Sequence, residues 1–308
     1  MIRSTALIGG LCAIGASASF TVNDMAVKYL SEDMALHQVI LFRSLIAVTI
    51  MLGLIMPLTG GLGQIRTRRP VIHFMRGLMV LAANMCFFMA LATMPIAEAT
   101  AIFFFSPMVI AVFSVIFLRE TVGPWRWAAI FIGFAGVLVI IRPGTAAFTP
   151  ISLLPLMAAT FYATLHMMTR SMRMTESAAT MGWYIQVTFL CASVAVGLGI
   201  GDGRFDTGTN ASLSFLTRVW IWPPAEFWPF LLLTGLGSAL GGYLISQAYR
   251  LCEAAMVAPL EYIAMPMAIL WGFLAFGEWP EPISWIGMAL ILGSGLLMIW
   301  RETNAGAR

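Results

Sequence analysis

Apolar runs of about 20 residues follow one another along almost the whole chain, and this feature more than any other limits what it can fold into. A hydrocarbon core about 30 Å thick is crossed by about 20 helical residues, because backbone N–H and C=O groups must be satisfied inside the segment. Read from loop to loop, the runs predict spans at 4–28, 36–57, 72–92, 97–118, 124–142, 151–170, 178–200, 227–249, 255–276 and 282–300. The breaks are Gly60-Gly61 through Pro70, Met94-Pro95, Arg119-Glu120, Arg142-Pro143-Gly144 and Trp279-Pro280. Only 10% of residues are charged, against roughly a quarter in soluble domains, so no sizeable soluble domain is left over. The expected fold is all-α and integral to the membrane, with ten transmembrane helices. Arg3, the apolar stretch 6–15 and Ala16-Ser17-Ala18 imitate a signal peptide. The segment runs on to Leu30, however, and is read as the first span.

Charge sets the orientation. With the N-terminus inside, the cytoplasmic side holds twelve arginines: Arg3, Arg66, Arg68, Arg69, Arg76, Arg119, Arg126, Arg170, Arg173, Arg250, Arg301 and Arg308. The outer side holds four cations, Lys28, Arg142, Arg204 and Arg218. That asymmetry follows the positive-inside rule and puts both termini in the cytoplasm, with the chain a multi-pass protein of a bacterial inner membrane. Lys28 is the only lysine and follows Val27, whereas a Walker-type phosphate loop needs lysine directly after glycine. The chain therefore carries no ATP-binding motif. The cations sit in short loops, so no nucleic-acid partner is expected; the partners are the bilayer and a small-molecule metabolite. Cys12, Cys86, Cys191 and Cys252 lie in apolar runs without metal-ligand or disulfide spacing, and no metal or cofactor is expected. The longest outer loop, 201–226, carries Trp220 and Trp222 as interfacial anchors, and Asn210-Ala211-Ser212 fits a glycosylation sequon.

The chain repeats itself. At an offset of 158 residues (278 − 120), Ala90 coincides with Ala248, Ala97 with Ala255, Glu120 with Glu278, Pro124 with Pro282 and Trp127 with Trp285. Asp24…Lys28 and His166…Arg170 also share their spacing. A duplicated five-helix unit accounts for these matches, with a first repeat at 1–145, a second at 150–302 and a tail at 303–308. An odd number of helices forces the second unit to insert upside down. Inverted repeats place a site near the midplane and give related conformations open to either side.

Pro107…Phe117-Leu118-Arg119-Glu120…Trp127…Gly133…Gly136, echoed by Pro266…Gly277-Glu278…Trp285…Gly293-Gly295, resembles the drug/metabolite transporter superfamily, EamA type. The resemblance spans essentially the whole chain as two EamA units. Asn23-Asp24-Met25-Ala26-Val27-Lys28-Tyr29-Leu30, with Phe42-Arg43 and Arg76-Gly77-Leu78, is also similar to rickettsial S-adenosylmethionine uptake carriers. Riboflavin carriers and aromatic amino-acid exporters share the superfamily, so the resemblance implies a carrier fold and leaves the cargo open.

Ionisable groups in hydrocarbon cost roughly 2.5–3.5 kcal/mol on insertion scales, so each needs a partner or a wet cavity. Arg43, two turns into the second span, is expected to face the interior and bind an anionic group. Glu261, between Pro259 and Pro266, is the expected proton-coupling site and the charge opposed to Arg43, facing an aromatic wall at Phe103 and Phe104. Asn23, Asn84, Tyr162, Tyr184, Gln247 and Tyr262 complete the expected substrate-binding set, with Gln186 and Ser246 as further polar positions. Asp24 and Lys28, four apart in acid-first order, read as a surface pair, as do His166 and Arg170; His37 reads as a solvated interfacial histidine. Gly237 and Gly241 form a GxxxG, and Gly133 and Gly136 mark one helix face, suited to close helix approach. The set fits a secondary carrier for a small polar or zwitterionic metabolite such as an amino acid, an S-adenosylmethionine-like solute or a riboflavin-like vitamin, working by alternating access. A channel or lipid flippase is the alternative. A membrane-embedded enzyme fits worst, because three histidines and no HExxH motif offer no catalytic constellation.

Overall fold

Proline and glycine fix where the helices begin and end. Pro70, Pro124 and Pro282 each stand at a first helical position, where the missing N–H costs nothing. Arg142 and Gly277 close two helices in the left-handed conformation. The computed structural model describes residues 2–118, 123–170, 176–252, 257 and 260–305, and every regular element among them is helical. Arg119, Glu120, Arg173, Ala255, Pro259 and Arg308, named above, lie outside the described residues. In order the helices are α1 (Ile2–Leu30), α2 (Leu36–Ile50), α3 (Pro70–Leu91), α4 (Ile96–Phe103), α5 (Ser106–Leu118) and α6 (Pro124–Ile141). They continue with α7 (Leu154–Arg170), α8 (Ala178–Ile200), α9 (Ala211–Thr217), α10 (Trp228–Leu251), α11 (Ala264–Phe276) and α12 (Pro282–Ala305). A π-helical turn at Met51–Ile55 extends α2 to Thr59.

Six described segments are long and apolar enough to cross a membrane: Leu36–Thr59, Pro70–Leu91, Ile96–Phe117, Pro150–Thr169, Ala179–Ile200 and Ala225–Ala248. Trp127–Ile141, Ala264–Phe276 and Pro282–Met298 are shorter apolar helices. Large apolar side chains lie outward on several of them, with Leu198 85% exposed and Phe131 66%. Such surfaces are stable against lipid tails and not against water.

Two expected spans are broken. The run 97–118 is interrupted by a turn at Phe104-Phe105, and the helix before α11 by a turn at Tyr262-Ile263. These turns lie 158 residues apart (262 − 104), the same offset as the sequence repeat. Their backbone bonds correspond as well. Phe105 N–H donates to the Ile102 carbonyl and Ile263 N–H to that of Leu260; Val109 donates to Phe105 and Met267 to Ile263. The physical cause is Pro107 and Pro266, which cannot donate to the carbonyls of Phe103 and Tyr262 one turn earlier and crowd them.

Glycine sets how closely the helices pack. α1 packs along α10, where a Cβ on Gly237 would meet the Ser19 carbonyl and Asn23, and one on Gly241 the ring of Phe20. α6 packs along α12 with Gly136 against the Gly287 backbone. Gly77 of α3 seats Thr188 of α8, and Gly235 of α10, 158 residues later, seats Ile46 of α2. Overpacking of this kind costs about 1–3 kcal/mol. Gly237→Leu is therefore expected to lower the melting temperature of the detergent-solubilised protein clearly, whereas Gly242→Leu, where a Cβ meets nothing, should leave it nearly unchanged. Equal melting of the two variants would show that the α1–α10 contact is not tight.

Candidate functional site

Arg43 is 3% exposed, held inside the bundle by α2. Its Nη1 donates to Asn84 Oδ1 at 3.3 Å, and Asn84 is oriented by its own Nδ2 donating to the Val80 carbonyl at 3.0 Å. The guanidinium carbon lies 4.5 Å from the centroid of the Phe189 ring and 5.5 Å from that of Phe88. Cation–π contact lowers the cost of burying this charge. Nε and Nη2 have no hydrogen-bond partner.

Among the described groups, Arg43 lies in the field of the opposite charge of Asp24 on α1. Asp24 and Arg43 interact electrostatically without a direct ion pair, since the remaining guanidinium nitrogens are unbonded. Asp24 Oδ1 accepts from Asn23 Nδ2 at 2.9 Å, and Asn23 Oδ1, buried, has no partner. The expected Asp24–Lys28 surface pair is not formed. Lys28 is buried and reaches away, its Nζ donating to Glu278 Oε1 and to the Met94 carbonyl, both at 2.6 Å. A helical spacing of four makes a pair available, but a nearly buried ammonium goes where two acceptors meet it.

A second cluster surrounds the helix breaks. Glu261 ends the helical turn before Tyr262-Ile263 and interacts electrostatically with both Tyr162 and Tyr262. Its own carbonyl accepts from Ser17 Oγ at 3.4 Å. The Tyr262 ring lies 5.1 Å from Phe104, and its hydroxyl is buried without a partner. Tyr162 lies 5.1 Å from Phe103 and 4.3 Å from His166. His166 lies in the field of the like charge of Arg76, whose Nε bonds Thr169 at 3.0 Å, and the Arg170 side chain, its expected partner, lies outside what the structure describes. The clusters are joined by one row of rings: Phe88 to Phe87 at 6.1 Å, Phe87 to Phe103 at 5.3 Å, and Phe103 to Tyr162. Asn23, Arg43 and Asn84 are thus brought together, and so are Tyr162, Glu261 and Tyr262, with aromatic side chains between the groups.

Two expected site residues are engaged elsewhere. Tyr184 donates to the Ile65 carbonyl at 2.9 Å and stacks on His73 at 4.5 Å. That places it in a polar cluster where Thr67 bonds Glu176 at 2.8 Å and Ser177 bonds Gln64 at 2.8 Å, at the ends of the helices. Gln247 donates to Tyr243 Oη within α10 at 2.7 Å. Gln186 bonds Ser238 at 2.8 Å, and Ser246 bonds back to the Gly242 carbonyl.

The end of the bundle that carries Lys28 is tied by many contacts. Ser284 donates to Glu98 at 2.6 Å, Arg142 pairs with Glu281, and Arg218 donates to the Ser31 carbonyl at 3.0 Å. The 201–226 segment lies over this end through Gln38 bonded to Ile221 and Ser212 bonded to the Met89 carbonyl. His37 is consequently 1% exposed beside Trp220, where the sequence suggested a solvated side chain. Asn210, first residue of the sequon, caps α9 by accepting from Ser212 and Leu213 N–H. Asp206 accepts from Ser214 Oγ and Gly208 N–H, and these bonds hold its carboxyl below the usual carboxylate range.

Residues 7–142 match the EamA-like transporter family. The riboflavin transporter of Brucella anthropi is 27% identical over 291 residues, covering 94% of this chain and 98% of its own. The S-adenosylmethionine uptake transporter of Rickettsia felis is 24% identical over 290 residues, covering 94% and 92%. A solved crystal structure superposes with a TM-score of 0.64 at 18% identity, covering 96% of this chain and 97% of its own, which speaks to the fold alone. The chain is thus similar over most of its length to bacterial membrane transporters, and its described residues hold six helices long and apolar enough to cross a membrane.

Proposed function

We propose, taking the EamA-like transporter domain at residues 7–142 as the premise, that this chain is a secondary carrier moving a small polar or zwitterionic metabolite across the inner membrane by alternating access. The observation that carries the reading is Arg43: a guanidinium buried in an apolar bundle with two donors left without a partner. A buried unsatisfied donor costs about 1–3 kcal/mol, a penalty that a purely structural arginine would avoid. Asn23, Asn84, Tyr162, Glu261 and Tyr262 join it as substrate-binding candidates, with both termini cytoplasmic.

Two inverted units, 1–145 and 150–302 with 303–308 as tail, are the expected machinery. Several observations support this. The helix breaks and their backbone bonds recur at an offset of 158, as do Gly77 and Gly235. The packing pairs exchange under the same relation: α1 on α10 corresponds to α3 on α7, and α2 on α10 to α3 on α8. Likewise α1 on α11 corresponds to α7 on α5, while α2 on α8 and α6 on α12 map onto themselves. Discontinuous helices at the interface of such repeats are where carriers place their sites.

The relatives direct the choice of cargo for the test. Purified protein in liposomes is screened for saturable counterflow of riboflavin, S-adenosylmethionine and the amino acids. Counterflow of at least one is expected; conductance without counterflow would mean a channel, and lipid scrambling a flippase. Glu261 is the proposed proton-coupling group, at the break and next to two tyrosines. Glu261→Gln is expected to abolish accumulation driven by a proton gradient while counterflow, weakened to the extent that Glu261 also contacts the cargo, persists, because exchange at equilibrium needs no net proton movement. Undiminished accumulation in the variant removes Glu261 from that role.

A further inference from the structure

We infer that Asp24, together with Arg43, binds the amino-acid end of the cargo, the carboxylate on Arg43 and the ammonium on Asp24 and Asn23. This assignment rests on the carrier reading above and names the substrate class of the same site. On a guanidinium, Nε and Nη2 form one side-on edge, with two parallel N–H bonds set at the spacing of a carboxylate's oxygens. Both donors of that edge on Arg43 are unpartnered and buried, while Nη1 on the other edge is held by Asn84. Arg76, the other interior arginine with described contacts, has its Nε taken by Thr169 and so presents no complete side-on edge.

Within the field of this guanidinium, α1 carries acceptors. Asp24 is the opposite charge sensed by Arg43 and shares one oxygen with Asn23 Nδ2, and Asn23 Oδ1 is buried without a donor. An ammonium brings three donors and no acceptor, the complement of that group. A bound zwitterion would leave the site with two compensated charges. An anion without an amine leaves Asp24 uncompensated, and an amine without a carboxylate leaves Arg43 so, and low-dielectric burial penalises both. The remainder of the cargo meets the ring row of Phe87, Phe103 and Tyr162, which suits an aromatic or heteroaromatic group.

The test is competition in counterflow by the full-length reconstituted protein. The probes are S-adenosylmethionine, 5′-methylthioadenosine (the same nucleoside without the amino-acid end), and L-methionine and L-phenylalanine with their N-acetyl and methyl-ester forms, with riboflavin alongside. At least one free zwitterion is expected to compete 10-fold or more better than its N-acetyl and ester forms, the usual discrimination lost with a charge-assisted bond. Asp24→Asn should weaken the zwitterion about 10-fold while changing the N-acetyl form less than twofold, and Asp24→Glu should restore part of the preference. A folding defect would lower both probes together and cannot give that split. The analogue series on the unaltered chain decides the matter even if the variants fail to fold. Saturable riboflavin counterflow that no zwitterion inhibits would overturn this assignment and leave the carrier standing, whereas absence of counterflow with every probe takes both down.

Discussion

Arg43→Gln is expected to lower the transport efficiency of whichever cargo shows counterflow by about 10- to 150-fold while leaving the chain folded. Hydrogen bonds to charged groups are worth about 1.5–3 kcal/mol, and each 1.4 kcal/mol is a factor of ten. The glutamine keeps a donor near Asn84 Oδ1, so the one internal hydrogen bond of Arg43 can be replaced. The variant also removes a buried guanidinium whose Nε and Nη2 satisfy nothing in the protein. Loss of Coulombic support for Asp24 acts in the opposite direction. Melting temperature should therefore move little, in contrast to the steep loss of transport. Groups retained for function commonly carry this signature, being costly to the fold and needed for activity. Counterflow kinetics and thermal unfolding on the same preparation separate the cases: melting that collapses along with transport would make Arg43 a structural tie between α2 and α3.

The helical membrane fold was legible from the sequence because its cause is written there residue by residue: runs long enough to span, broken by proline, glycine and charge. Arg43 and Glu261 were legible for the same reason, since an ionisable side chain inside an apolar run is costly wherever its helix turns. Their partners were not. Whether Asp24 faces Lys28 along its own helix or Arg43 on another depends on how α1 rotates against α10, and close packing at Gly237 and Gly241 governs that rotation. The role of Asp24 beside Arg43 was missed on this account, although its place next to Asn23 inside the first span was a signal. Tyr184 and Gln247 show the opposite difficulty. A tyrosine or amide in a span counts as a candidate by type, but the first is taken by Ile65 and His73 and the second by Tyr243. The breaks at Phe104 and Tyr262 were half legible: Pro107 and Pro266 announce freed carbonyls, while the matching turns emerge only with the backbone bonds in place.

Glu278→Gln is expected to destabilise the protein more than the paired replacement Lys28→Met with Glu278→Gln. The only lysine in the chain ties three parts of the structure: its own helix α1, the Met94 carbonyl between α3 and α4, and Glu278 between α11 and α12. Its side chain is 10% exposed and that of Glu278 28%, so the ammonium is the more desolvated partner. Removing the carboxylate leaves that ammonium with one carbonyl, the ring of Phe276 5.2 Å away, and only the more distant carboxylates of Glu32 and Glu98. Breaking a buried pair from one side costs about 3–5 kcal/mol, and partial exposure here argues for the lower part of that range. Removing both charges eliminates the uncompensated ion, so the double variant should recover much of the loss, a non-additivity that a thermal-unfolding cycle measures directly. The tie also has a consequence for alternating access. On the proposed mechanism, an opening of this end that parts α1 from the α11–α12 connection breaks the pair. Weakening it by 3 kcal/mol would shift the closed–open balance about 100-fold toward the open form. A cysteine placed at Ser31, which is 5% exposed beside the tie, reports this through its rate of labelling by a membrane-impermeant maleimide, with the four native cysteines replaced. Faster labelling with Glu278→Gln, and a return toward the parent rate in the double variant, is the expected result. Equal rates in all three backgrounds would mean that Lys28 and Glu278 hold the fold without gating it.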